Sequence, residues 1–102
     1  MAQFDLYKNP RGGLFPLLLD VQTDLLSSLE TRVVVPLATL KKYRAKPITR
    51  LNPTVTIDDV EYVLVFQELA AIPRAALGKP RGSLASLRTD LVAAVDLVFT
   101  GL

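Results

Sequence analysis

With 102 residues, half of them hydrophobic, residues 1–102 make one ordinary domain with a real but small core, and a second domain is excluded. The chain holds no cysteine and no histidine, which removes disulfides, the commonest metal ligands, the commonest general base and the thiolate nucleophile. A net charge of +2 is too small for a general nucleic-acid binder, so any chemistry rests on Ser, Thr, Tyr, Lys, Arg, Asp and Glu.

Residues 3–7 alternate, with Phe4 and Leu6 on one face, and predict a first strand; Lys8-Asn9-Pro10-Arg11-Gly12-Gly13 then supplies turn chemistry. Residues 15–22 predict a second strand, with Leu17, Leu19 and Val21 on one face and Asp20 and Gln22 on the other. The apolar run from Leu14 to Leu19 ends at Asp20, far short of the roughly 20 residues a membrane span needs. The early Asp5 does not suit a secretory signal. The expectation is a cytoplasmic chain with no membrane partner.

Residues 32–37, with Val33, Val34 and Val35 in succession, predict a strand buried on both faces, and Pro36 is expected to end its pairing. From Thr31 to Ile57 there is no acid, while Arg32, Lys41, Lys42, Arg44, Lys46 and Arg50 are basic. Pro47 and Pro53 make this stretch a loop with at most a short helical turn, suited to an acidic partner or a phosphate backbone. Residues 54–57 and 60–67 flank Asp58-Asp59 as a hairpin whose turn lacks the favoured glycine. Residues 69–82, with Pro73, Gly78, Pro80 and Gly82, read as an irregular connector.

The period then changes. Leu84, Leu87, Leu91, Val95, Val98 and Leu102 recur every three or four residues, with Val92 and Phe99 widening the stripe, so the last twenty residues predict a helix packed on the sheet, capped by Ser83 or Ser86. Strands first and one helix last make an α+β, mainly β fold with an antiparallel sheet. A stripe this wide exceeds what one sheet face covers, and together with the small core it leads to the expectation of a homodimer.

No reactive constellation stands out, and no catalytic residue, metal site or cofactor is expected. Asp58, Asp59 and Glu61 sit at a tight hairpin and read as a solvated turn rather than a metal site. Arg11-Gly12-Gly13 leads into a strand, unlike a phosphate loop. No lysine lies in an apolar stretch where it could serve a serine as base. A metal-free ribonuclease would draw on Arg32, Arg44 and Arg50 with Asp20 or Asp24, although ordinary surface charges account for the same residues. The ending Phe99-Thr100-Gly101-Leu102 is an apolar tip, either a core plug or a contact for a partner groove.

Several segments taken together resemble the CcdB toxin family: Gln3-Phe4, Asp20-Val21-Gln22-Thr23-Asp24, Arg32-Val33-Val34-Val35-Pro36-Leu37-Ala38, Ile57-Asp58-Asp59, Leu69-Ala70-Ala71-Ile72-Pro73 and Leu97-Val98-Phe99-Thr100-Gly101-Leu102. Their order and near-constant spacing carry the resemblance. It implies a five-stranded antiparallel sheet of the SH3-like, CcdB/MazF type, with a small accessory hairpin and a C-terminal helix. It also implies a homodimeric toxin of a type II toxin–antitoxin system that binds the DNA gyrase A subunit and traps cleaved DNA. A CcdA-like antitoxin with an acidic disordered tail would neutralise it, and DNA would be met only through the antitoxin complex. The gyrase-binding positions carried over are Leu25, Leu26, Asp96, Phe99, Thr100, Gly101 and Leu102. Two of them depart from the family pattern, which has asparagine where this chain has Asp96 and tryptophan where it has Thr100. The antitoxin-binding positions are Lys8, Arg11, Lys41, Lys42, Arg44, Lys46 and Arg50. A MazF-like endoribonuclease is the alternative reading.

Overall fold

The computed structural model describes residues 2–101. Seven strands and one α-helix follow in order: β1 (Asp5–Lys8), β2 (Leu17–Asp20), β3 (Thr31–Thr39), β4 (Thr54–Ile57), β5 (Val60–Leu64), β6 (Ala70–Pro73), β7 (Gly82–Ser83) and α1 (Arg88–Thr100). The strands form one antiparallel sheet in the order β4-β5-β3-β2-β1-β7, with β6 also pairing β3. The expected five-stranded sheet is therefore seven-stranded. The β4–β5 hairpin does not stand apart as an accessory, because β5 continues the ladder along β3 from Leu37↔Leu64 to Thr39↔Tyr62.

Side-chain alternation divides the sheet into two buried faces. On one, Leu6, Leu19, Val35, Leu37 and Leu64 pack with Phe4, Phe66 and the helix residues Leu91 and Ala94 to form the main core. On the other, Tyr7, Leu18, Val34 and Leu77 form a smaller cluster backed by Ile72. The central strand β3 is buried from Val34 to Ala38, as its run of valines requires.

Pro36 does not end β3. It faces Leu18 across the β2 ladder, and the bond from Val21 N–H to the Val33 carbonyl (3.0 Å) makes 18/36 a non-hydrogen-bonded pair. The missing N–H therefore points to the other side of β3, where β6 partners residues 31–34 and β5 partners residues 37–39. A proline is tolerated there because its position is the break between two partner strands.

The connector also holds more order than its prolines and glycines suggest. Ala70–Pro73 is an edge strand whose pairing is purely a matter of backbone. Arg74 N–H donates to the Glu30 carbonyl at 2.7 Å, so 31/73 is a non-bonded pair and the missing N–H of Pro73 lies on the free edge. β5 stops at Leu64 rather than Gln67, because residues 66–68 turn into a 3₁₀ helix that carries Phe66 into the core. At the N-terminus Phe4 takes a left-handed φ of 70°, and β1 starts only at Asp5.

The helix begins after a 3₁₀ turn, Ala85–Leu87. Ser83 Oγ accepts the Ala85 N–H at 3.1 Å in a local turn, but the N-cap positions are Leu84 for the 3₁₀ turn and Leu87 for α1 and neither has a side-chain cap, so neither Ser83 nor Ser86 caps the helix as expected. Leu91 and Ala94 are buried, and Val92, Val95 and Val98 pack against the core while still partly exposed. Among the described residues no helix is long and apolar enough to cross a membrane.

The hairpin turn resolves to type I′, since Asp58 and Asp59 both have positive φ (50° and 64°). Aspartate holds that conformation at a steric cost that glycine does not bear. Asp59→Gly is expected to raise unfolding stability by about 0.5–1 kcal/mol in urea titration, and a loss of stability would contradict the assigned turn.

Candidate functional site

Exposed large apolar side chains are Leu14, Leu25, Leu26, Leu29, Ile48, Val60 and Phe99 among the described residues, and the two most exposed, Leu25 and Phe99, mark two places. One is the loop after β2, where a 3₁₀ turn (Asp24–Leu26) leaves Leu25 91% and Leu26 45% exposed. The other is the last turn of α1, where Phe99 is 67% exposed. Gly101 ends the helix at a φ of 75° and donates its N–H to the Leu97 carbonyl at 3.2 Å. A left-handed terminus of this kind turns the chain without a Cβ penalty. The Thr100 hydroxyl bonds back to the Asp96 carbonyl at 2.7 Å, so its one donor is directed onto the helix rather than outward.

The loop with Leu25 and Leu26 is tied to the opposite end of α1. Gln3 N–H donates to Asp24 Oδ1 at 2.7 Å. Arg88, the first residue of α1, donates to Gln3 Oε1 at 2.9 Å and lies 5.6 Å from the Phe4 ring centroid. Phe99 and Thr100 are about 18 Å further along the helix axis. One protomer therefore carries two exposed apolar elements at the two ends of a single helix.

Beneath the leucine loop lies a polar cluster with no access to water. Arg32 and Asp20 are both fully buried and in contact, with Nε and Nη2 each 2.7 Å from Asp20 Oδ2. Asp20 faces Val34 across the ladder, which makes Arg32 its diagonal neighbour on the same face. Asp20 Oδ1 accepts the Gln22 N–H (3.0 Å), Gln22 Oε1 accepts the Val33 N–H (3.0 Å), and Arg32 Nη2 donates to the Gln22 carbonyl (3.2 Å). Burial pushes the Asp20 carboxyl up from the usual range, against the hydrogen bond from Arg32 that pulls it down. The Tyr7 phenol is also raised, first by burial and then by Asp5 and Asp20, with Arg32 opposing.

A family model described as CcdB protein matches residues 3–101, nearly the whole chain. The chain belongs to the CcdB family. It also superposes on the Mycobacterium tuberculosis toxin MazF-mt6 with a TM-score of 0.66 at 20% identity, over 81% of this chain and 84% of that one. That is a likeness of fold, and it agrees with a curled antiparallel sheet closed by a C-terminal helix. CcdB membership supports the toxin component of a toxin–antitoxin system.

The positions carried over from the CcdB family fall at defined places. Leu25 and Leu26 lie on the exposed loop, Asp96, Phe99 and Thr100 on the exposed end of α1, and Gly101 at its terminus, while Leu102 is outside the described residues. Lys8, Arg11, Lys41, Lys42, Arg44, Lys46 and Arg50 are all exposed. Because β1 and β3 run in the same direction, Lys8 and Arg11 leave the sheet at the end from which Lys41 and Lys42 depart. Arg11 lines a groove of about 660 Å³ with Phe15, Leu18, Val34 and Ile72, and Lys8 lines a neighbouring depression with Lys79 and Arg81. Arg50, at a φ of 71°, shares a depression with Asp90.

Of the ribonuclease candidates, two are withdrawn from the surface. Arg32 and Asp20 are not surface charges but a buried pair, closed to any substrate, and Asp24 accepts from the Gln3 backbone. The loop that carries Arg44 begins about 23 Å away along β3. The sequence sets Asp20 and Gln22 on the face opposite Leu17, Leu19 and Val21, and their shared parity with Leu18 is the signal that this second face is also buried. That second face is covered by Leu77 from the connector, which was read as irregular.

Asp20→Ala is expected to cost about 3 kcal/mol in urea denaturation, because it strands a charged guanidinium in the interior. Asp20→Leu combined with Arg32→Met is expected to recover wild-type stability or better. A double variant less stable than Asp20→Ala would show that the cluster is held by more than charge pairing.

Proposed function

We propose that this CcdB-family chain acts by binding and not by catalysis, as a homodimeric toxin directed at the DNA gyrase A subunit and neutralised by an antitoxin with an acidic tail. The observation that carries this reading is the pair of unburied apolar elements, the leucine loop and the Phe99 tip, at the two ends of α1 in each protomer. Apolar side chains left in water are the residues from which protein interfaces are built. A two-fold dimer would present each element twice and bring copies from both protomers to one surface. The dimer would also cover the partly exposed side of α1.

Asp96 and Thr100 weaken the contact. Tryptophan at an interface centre is commonly worth on the order of 2 kcal/mol or more, whereas Thr100 is small and its hydroxyl is occupied by the Asp96 carbonyl. Asp96 adds an exposed charge on the same turn of helix, which must find a cation or lose hydration on docking. The chain therefore engages gyrase weakly, or engages a gyrase whose groove is shaped to suit it.

A supercoiling and cleavage-trapping assay tests this. Thr100→Trp, alone and with Asp96→Asn, is expected to gain trapping of cleaved DNA over the native protein. Trapping by the native protein at nanomolar concentration with a standard gyrase would refute the argument from Thr100, and no interaction by any of the three would refute the gyrase target. Sedimentation at micromolar concentration should give a dimer, and a monomer would remove the two-fold surface on which the reading depends.

The basic end of the sheet fits an acidic tail. Binding of a Glu/Asp-rich peptide is expected to weaken as salt rises, and to weaken several-fold when Lys41, Lys42 and Arg44 are replaced by Ala. Unchanged affinity in that triple variant would exclude the loop from the antitoxin surface.

A further inference from the structure

We infer that Arg32 is the positioning residue of the leucine loop, holding Leu25 and Leu26 in a contact-ready arrangement from beneath; the inference rests on the proposal that this loop faces the target.

Leu25 and Leu26 are too exposed for their own burial to fix the backbone that carries them. What holds that backbone is polar. Arg32 Nη2 donates to the Gln22 carbonyl at 3.2 Å and comes within 3.9 Å of Asp24 Oδ1, while its Nε grips Asp20 at 2.7 Å. One buried guanidinium thus meets the end of β2, the second residue beyond it and the first residue of the 3₁₀ turn. Gln22 passes the constraint on. Its Oε1 is pinned by the Val33 N–H at 3.0 Å, and its Nε2 donates to the Leu26 carbonyl at 3.4 Å. Within the loop, Leu26 and Ser27 donate their N–H groups to the Thr23 and Asp24 carbonyls, each at 3.1 Å.

The planar fork of arginine is what the role requires. A lysine could pair with Asp20, but as a single point charge it would not also reach the Gln22 carbonyl at this geometry. Arg74 adds a tether from the surface, donating to the Ser27 carbonyl at 2.7 Å. That side chain is exposed and grips the far end of the loop, beyond both leucines.

The test uses the full chain and reads loop and sheet separately. In Arg32→Lys, hydrogen exchange at the Leu26 and Ser27 amides is expected to speed up by about tenfold relative to β3 amides, the equivalent of one lost buried hydrogen bond. Affinity for a gyrase A fragment should fall by a similar factor. Gln22→Glu keeps the acceptor for Val33 but sets an oxygen against the Leu26 carbonyl, so it gives the same pattern and serves if Arg32→Lys fails to fold. Adding Leu25→Ala and Leu26→Ala to either variant should cost little further affinity, since a displaced loop has already lost those contacts. Loop amides whose exchange, compared with the native protein, speeds up no more than that of β3 amides in a folded variant would overturn the inference. If the native chain does not bind the gyrase fragment, the functional reading falls, while the amide exchange still decides whether Arg32 positions the loop.

Discussion

A guanidinium and a carboxylate withdrawn from water impose the strictest demand in this structure. Even after relaxation, desolvating one such ion costs several kcal/mol, and Arg32 and Asp20 can stay charged inside only because each is met by the other and by backbone groups placed to receive them. The accounting is not complete, since Arg32 Nη1 and Tyr7 Oη are buried without a hydrogen-bond partner among the described residues. Such a cluster tolerates little rearrangement. It fixes the β2–β3 register, because a slip of one residue would send Asp20 to the opposite face from Arg32. Through Gln22 it also fixes the path by which the chain leaves the sheet.

The consequences are felt at the surface. The loop after β2 carries the exposed leucines Leu25, Leu26 and Leu29, and none of them packs into either core cluster. Its shape is therefore inherited from the polar interior below it. The helix tip is arranged differently. Phe99 stands out on a regular helix whose own hydrogen bonds hold it, and Gly101 ends that helix in a left-handed conformation with its N–H on the Leu97 carbonyl. Of the two apolar elements at the ends of α1, one is a rigid helix end and the other a loop braced by buried charge. Lys8, Arg11, Lys41 and Lys42 lie apart from the loop because β1 and β3 point them toward the other end of the sheet.

Much of this was legible in the sequence because local periodicity reports burial when one face of an element meets a core. The stripe through Leu84, Leu91 and Val95 gave the helix, the valines of β3 a strand buried on both faces, and the Asp58-Asp59 pair the hairpin. The end-to-end likeness to the CcdB family identified the family and the exposed tip. Less legible were β6 and β7, because Ala70, Ala71 and Gly82 have no side chains whose pattern could announce a strand; they pair through backbone groups supplied by β3 and β1.

Sequence alone determined the identity of the strands that carry large apolar side chains, the terminal helix, the basic stretch and the departures at Asp96 and Thr100. Each of these depends on residues close together in the chain. The tertiary structure alone decided that Pro36 could remain inside a central strand, that the β4–β5 hairpin joined the main sheet, and that Arg32, read as a surface charge, became the buried partner of Asp20. Those outcomes depend on which strand lies beside which. A proline fits or fails, and an arginine is solvated or buried, according to neighbours that are distant in sequence and meet only when the sheet closes.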